Sequence, residues 1–311
     1  MGEFERIDLF LAAFRAAGGA LEGDRVRLGP GDDAAVLETG GLTAVTTDAV
    51  VDGVHFRRAW ATSEQIGHKA LAVNLSDLAA MGARPTAFTC ALVLPDDVDD
   101  AFLAGIARGM APLSRRWNVA LVGGNLARGR DLSVTITALG ELDGRPLRRD
   151  AARPGDRLLL AGDVGVAAAE LLWLERGRPL PAGPSALLEP LPLIETGLAA
   201  RQRLGAGIDV SDGLVQDLAH LAQASGVRAR LDFSALRVSP RFEALSAGLA
   251  EAERASLLVS GGEDYALALA GPASAAQVLG ATIVGRVEEG EGVAVEHLPS
   301  GTRLAGYDHF R

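Results

Sequence analysis

The stretch "HKALAVNLSDLAAMGARP" at His68–Pro85 restricts the fold more than any other part of the chain. Thr62 and Gln65 stand before it at capping-box spacing, and Gly82 and Pro85 follow it, which predicts a helix between those signals. Its residues are almost entirely Ala, Leu, Val and Met, so no face is left for water. A helix apolar nearly all round is an internal helix. Yet it carries Asp77, with Asn74 three residues earlier on the same face. A buried carboxylate without partners is costly, so Asp77 requires a cation or several hydrogen-bond donors.

Similar groups recur at the ends of other apolar runs. They are Asp32-Asp33 in "GPGDDAAVL", Thr46-Thr47-Asp48 closing the strand-like "LTAVTT", Asp209-Val210-Ser211-Asp212, and Glu263-Asp264 in "SGGEDY". Each alone is an ordinary turn, loop or helix N-cap, with Ser211 or Asp212 the expected cap of "GLVQDLAHL". Together they are hard oxygen ligands, which suit Mg²⁺, Mn²⁺ or Ca²⁺. One cysteine and five scattered histidines (His55, His68, His220, His297 and His309) give no zinc-ligand spacing. A shared divalent metal would offset the repulsion between neighbouring aspartates. It would also bridge a chain of formal charge -10 to a phosphorylated substrate.

That charge, with a pI near 5.1, argues against nucleic acid or an anionic membrane as partner. No leader-like order opens the sequence, no apolar run is long enough to span a bilayer, and the lone Cys90 excludes an internal disulfide. A cytoplasmic protein with an inert buried thiol is expected. The length of 311 residues suggests about two domains, and 48% apolar residues can fill both cores. The polar stretch Asp143–Arg157 is the best boundary, giving expected domains over 1–147 and 148–311.

The first half alternates strand-like and helix-like segments. "LSVTITALGEL" sets Leu132, Val134 and Ile136 against Ser133, Thr135 and Thr137. With "PTAFTCALVLP" it carries more apolar surface than one small domain readily buries, which suggests an interface. In the second half, "AGIDVSDGLVQDLAHLAQASG" reads as a strand and a helix with Leu214, Leu218 and Leu221 on one face. The fold class is α/β plus α+β, two domains with mixed sheets. No P-loop, dinucleotide fingerprint or protein-kinase motif set is present. The turn-like "VGGNLARG", "AGDVGVA" and "SGGEDY" would bring backbone N–H groups to phosphates.

In order and spacing, "GDDAAVL", "TTD…VDGVHF", "HKALAVNLSDLAAMGARP", "VGGN…ARG", "RRDAARPGD", "IDVSDGL", "SGGEDY" and the terminal "GYDHF" resemble the thiamine-monophosphate kinase family over nearly the whole chain. The resemblance implies an aminoimidazole-ribotide synthetase-like fold, with an N-terminal domain that dimerises and a C-terminal domain that closes over nucleotide. It implies ATP-dependent conversion of thiamine monophosphate to thiamine diphosphate with several Mg²⁺ ions. By motif match the metal ligands would be Asp33, Thr46, Thr47, Asp48, Asp77, Asp209 and Asp212. Nucleotide contacts would be Gly124, Asn125, Arg149 and Ser211, and thiamine-phosphate contacts His55, Glu263 and Tyr307. Asn125 departs from the family's usual Asp, which replaces a carboxylate by a neutral amide.

A phosphate acceptor is already an anionic nucleophile near neutral pH, so no general base is assigned. Two other readings compete. One is a different ATP-using enzyme of the same fold, although selenophosphate synthesis would want a reactive cysteine before Cys90. The other is an ATP-binding protein without turnover, favoured only by Asn125.

Overall fold

The computed structural model describes residues 2–31, 34–304 and 306. Asp32, Asp33 and Tyr307 lie outside them. The chain forms two compact units, Met1–Leu78 with Ala83–Gly144, and Ala79–Gly82 with Arg145–Arg311.

The first unit runs α1 (Glu3–Ala16), β1 (Val26–Leu28), β2 (Val36–Leu37), β3 (Leu42–Val51), α2 (Ser63–Ala80), β4 (Arg84–Leu94), α3 (Asp100–Trp117), β5 (Ala120–Arg128) and β6 (Ser133–Leu142). β1 and β2 form a small ribbon, and the other strands form a mixed sheet in the order β3-β6-β4-β5. Only β4 and β5 run parallel. The predicted alternation holds: Leu132, Val134, Ile136 and Ala138 are fully buried, and Ser133, Thr135 and Thr137 only half-buried. Ala87, Phe88, Leu92 and Leu94 of β4 are buried as well. These strands therefore spend most of their apolar side chains inside their own unit, while Leu42 and Val45 of β3 remain exposed.

The α2 helix starts as predicted. Thr62 N–H donates to Gln65 Oε1 at 3.0 Å, and Gln65 N–H donates to the Thr62 hydroxyl at 3.2 Å. It ends before Gly82, whose φ of 65° suits glycine. From Ile66 to Ala80 only His68 and Asp77 escape full burial. α2 meets α3 through glycines: a Cβ on Gly67 would fall on the Ile106 carbonyl, and one on Gly109 on that of Glu64. The contact is backbone to backbone, so nothing can yield to an added methyl. Cys90 is buried, and burial pushes its thiol up to about 12, so it is inert.

Two local expectations fail. β3 does not stop at Thr47 but pairs with β6 as far as Val51 against Ser133, which puts Thr46–Asp48 in mid-strand. "VGGNLAR" is not a turn. After an irregularity at Phe88/Thr89, β5 pairs residue for residue with β4, from Thr89 with Gly123 to Leu94 with Arg128. Gly124 is there because its Cα presses on the Cys90 carbonyl.

The second unit contains β7 (Arg157–Ala161), α4 (Val166–Glu175), α5 (Ile194–Arg201), β8 (Ala206–Val210), α6 (Leu214–Ser225), β9 (Arg228–Asp232), α7 (Pro240–Leu245), α8 (Glu251–Ser260), β10 (Ala266–Gly271), α9 (Ala275–Leu279), β11 (Thr282–Glu288) and β12 (Gly292–Glu296). Its mixed sheet has the order β12-β9-β11-β7-β10-β8. Leu214, Leu218 and Leu221 share one core with Leu158, Ile208, Val210 and Phe242, as the periodicity of α6 predicts. Among the described residues, no helix is long and apolar enough to cross a membrane.

The glycine crossing of α2 and α3 carries a prediction. Gly109→Ala should destabilise the protein by about 2 kcal/mol or more, because overpacking a backbone contact has no side-chain escape. A urea midpoint that falls at unchanged slope would verify it, and an unchanged midpoint would place the helices further apart.

Candidate functional site

In the first unit the buried polar residues of α2 dock on β3. Asn74, fully buried, accepts the Asp48 N–H through Oδ1 at 3.0 Å and donates from Nδ2 to the Ala70 carbonyl at 3.1 Å. β3 is an edge strand, so this N–H on its open side would otherwise lack a ladder partner. Two residues earlier, on the same face of the strand, the Thr46 hydroxyl donates to Asp77. Asp77 is therefore a carboxylate acceptor, and Thr46, Asp48, Asn74 and Asp77 form one oxygen-rich seam. Thr47 faces the other side of β3, where its hydroxyl donates to the Ile136 carbonyl at 3.0 Å and meets the Thr137 hydroxyl at 3.1 Å.

His55 lies just beyond β3. Its Nδ1 accepts the Val51 N–H at 3.2 Å, which leaves the proton on Nε2. Its carbonyl accepts from Lys69 Nζ at 2.7 Å. Lys69 is the only lysine in the chain and is buried within α2. Sequence reasoning passed over it, although a lone lysine inside an apolar helix raises the same question as Asp77.

Gly124 and Asn125 are exposed on β5 and line a cleft of about 870 Å³. Pro30, Gly31 and Ala34, which flank Asp32-Asp33, line the same cleft. The register puts Asp48, Ile136, Cys90 and Gly124 in one row across all four strands. Asp48 and Gly124 thus stand at opposite edges, three strand spacings or about 14 Å apart. One metal shell cannot include both edges of a single sheet.

In the second unit the candidates gather where β8 ends and β10 begins. Asp209 is buried in β8, and Ser211 and Asp212 follow in the turn to α6. Neither caps α6. The cap position is Gly213, at φ 126°, where a Cβ would also crowd the Ser260 backbone. The capping carboxylate is Asp217, from the first turn. Its Oδ2 accepts the N–H groups of Ser211 and Asp212 at 3.0 Å and that of Gly213 at 3.2 Å. Burial and the nearby Asp212 charge push the Asp217 carboxyl up to about 7 against those three donors. Asp212, Asp217 and His220 also bring ligand atoms within 4.8 Å of one another, so one of the scattered histidines does join two carboxylates in space. The helical spacing of 217 and 220 was the available signal.

The "SGGEDY" loop is joined to this turn. Glu263 N–H donates to the Ser211 carbonyl at 2.7 Å and Tyr265 N–H to that of Val210 at 2.8 Å. Both residues have positive φ, 65° and 51°, a conformation that non-glycine residues adopt only when neighbours enforce it. Asp264 between them turns away. Its carboxylate accepts the Gly165 N–H at 2.7 Å and the Ala167 N–H at 3.4 Å, so it caps α4 from across the unit. Burial raises its carboxyl well above the ordinary range. Arg149 is elsewhere. Its carbonyl accepts the hydroxyl of Ser225, the last residue of α6, while Ser211 precedes the start of that helix.

The chain matches the AIR synthase related proteins, with their N-terminal domain over residues 31–142 and their C-terminal domain over 153–297. It is 38% identical to a thiamine-monophosphate kinase of Mycobacterium tuberculosis, across 100% of this chain and 92% of that one. It is also similar to the crystal structure of thiamine-monophosphate kinase from Stenotrophomonas maltophilia, with TM-score 0.83, 35% identity, and 93% and 96% of the two chains covered. The structure of AaThiL complexed with AMPPCP and TMP matches at TM-score 0.79 and 30% identity, over 99% and 97%.

The cap on α4 is testable. Asp264→Ala should cost about 1–2 kcal/mol of stability, since two helix N–H groups lose their acceptor. Asp264→Asn should lose less. Equal thermal midpoints for native protein and the alanine variant would refute the assignment.

Proposed function

This chain belongs to the thiamine-monophosphate kinase family and phosphorylates thiamine monophosphate with ATP, and we propose that the transfer is direct, in-line and Mg²⁺-dependent. The observation that carries the proposal is the seam in which the Thr46 hydroxyl meets the Asp77 carboxylate and Asn74 holds the backbone of Asp48 beside them. Such donors fit Mg²⁺. Asp33, Thr46, Asp48 and Asp77 are proposed as its ligands in the first unit, with Thr47 contributing only its main-chain carbonyl because its hydroxyl serves Ile136 on the other face of β3. Asp209 and Asp212 are proposed as metal ligands within the second unit. When bound, the metal would neutralise charge on the phosphates and align the γ-phosphoryl group.

The chain's own residues supply positioning. Gly124, Asn125, Arg149 and Ser211 are proposed for the nucleotide, and His55, Glu263 and Tyr307 for thiamine monophosphate. His55 offers an Nε2–H donor, and Lys69 fixes its backbone. Glu263 is held by the Ser211 carbonyl with its side chain half-exposed. The acceptor oxygen is anionic already, so no residue has to remove a proton from it. The protein is proposed to act in the cytoplasm.

The separation of Asp48 from Gly124 and Asn125 supports a homodimer through the first unit. Edges 14 Å apart within one sheet can serve one site if they come from two copies, as a two-fold interface allows (about three strand spacings,). Variants Asp48→Asn and Asn125→Arg, each inactive alone, should regain activity when mixed and refolded together, because one site of each mixed dimer is then native. No regain, with a dimer proved by light scattering, would place both edges in sites of a single chain.

The deciding experiment is turnover of ATP, Mg²⁺ and thiamine monophosphate to thiamine diphosphate, with full loss on chelation. Asp77→Asn should lower kcat by about a hundredfold or more, in the range for removing one element of electrostatic transition-state stabilisation. Asp143→Asn, in the polar linker, should leave kcat unchanged. Turnover that persists after exhaustive chelation would overturn the metal assignment.

A further inference from the structure

In the second unit, the sheet end opposite Ser211 and Glu263 opens into a cavity of about 630 Å³. The start of β8, the end of β10 and the approach to β7 meet there, because Ala206 pairs with Ala270 and Arg157 with Gly271. About 13 Å of β8 separates this end from Val210. Five arginines line the cavity: Arg145, Arg148, Arg153, Arg201 and Arg203. Its one lining carboxylate is Asp156, which already accepts the Arg153 N–H at 2.9 Å. Leu204 and Pro272 supply apolar wall.

What sets these arginines apart is that they converge on one concavity. Arg148 is matched by Asp150, with Nε to Oδ1 at 2.7 Å. Among the described residues, Arg145, Arg153, Arg201 and Arg203 form no ion pair with a carboxylate. Arg203 Nη1 donates only to the Ala199 carbonyl, at 3.0 Å. Arg201 Nε is buried with no hydrogen-bond partner. It cannot easily withdraw, since its side chain packs on Gly82, where even a Cβ would collide. Among the described residues, four guanidinium groups stand without a carboxylate partner around one concavity. Guanidinium groups bind phosphate oxygens in bidentate fashion, and the volume is that of a small-molecule site.

We propose that this cavity is a second anion site, distinct from the proposed catalytic residues, and that it binds the diphosphate group of a small molecule. Four unmatched positive charges, reduced by Asp156, balance the roughly three negative charges of a diphosphate better than those of a single phosphate. The apolar wall accommodates an organic portion, and a net-acidic chain disfavours an extended nucleic acid.

The probe is inorganic pyrophosphate, titrated calorimetrically into the intact protein in EDTA, so that metal-dependent binding is silent. The expected result is one site per chain whose affinity falls as salt is raised. Arg203→Ala and Arg145→Ala, both exposed and tolerant of change, should each weaken binding about tenfold, as loss of a charge-assisted hydrogen bond does. Arg201→Ala should do at least as much. All three should keep native kcat. ADP and thiamine diphosphate titrated in the same way distinguish the source of the diphosphate. Absence of binding, indifference to the arginine variants, or, in a parallel titration with Mg²⁺ and no EDTA, full displacement by Mg²⁺–AMPPCP would overturn the proposal. So would capture of single-stranded RNA, without pyrophosphate binding, that the same variants abolish.

Discussion

The first unit depends on how one helix solves a solvation problem. α2 is buried on nearly every face, yet it carries Lys69, Asn74 and Asp77. Each would be prohibitive in an apolar core if left without a partner. Asn74 and Asp77 take theirs from the open edge of β3, and Lys69 takes the carbonyl that follows that strand. The interaction is reciprocal, because an edge strand also has N–H groups to satisfy. The same bonds that make burial of α2 tolerable hold Thr46 and Asp48 in fixed positions. Burial of α2 and the placement of these candidate ligands therefore rest on the same bonds, and a substitution at Asn74 would disturb both.

In the second unit the backbone plays the corresponding part. Gly213 adopts a conformation closed to other residues, while Glu263 and Tyr265 adopt one that such residues avoid. Two carboxylates that resemble ligands in sequence are occupied in holding this arrangement. Asp217 gathers three N–H groups of the turn, and Asp264 caps α4. Their carboxylates are thereby occupied by backbone donors, while Asp212 and Glu263 stand half-exposed beside them. In a site crowded with acids, neighbours with different partners have different work.

The sheet of the second unit is electrostatically divided along its strands. One end gathers Asp209, Asp212, Glu263 and Asp264, and the other gathers five arginines. A net charge of -10 conceals this, because a sum over the chain carries no position.

Much of this was fixed by the sequence alone. The capping box and Gly82 bounded α2, the alternation in "LSVTITALGEL" chose the buried face of β6, and the leucine spacing oriented α6, because each is a local signal that repeats with the period of its element. The motif order also identified the family. Tertiary structure decided what depends on neighbours distant in sequence. "VGGNLAR" became a strand because β4 offered a parallel partner, not because of its own glycines. Asp217 displaced Ser211 and Asp212 as the cap because the turn at Gly213 pointed three N–H groups inward. Arg145, Arg148, Arg153, Arg201 and Arg203 lie apart in sequence and share one cavity because strand pairing brings the ends of β7, β8 and β10 together. Periodicity can tell which way a side chain faces, but only the packed chain determines what it faces.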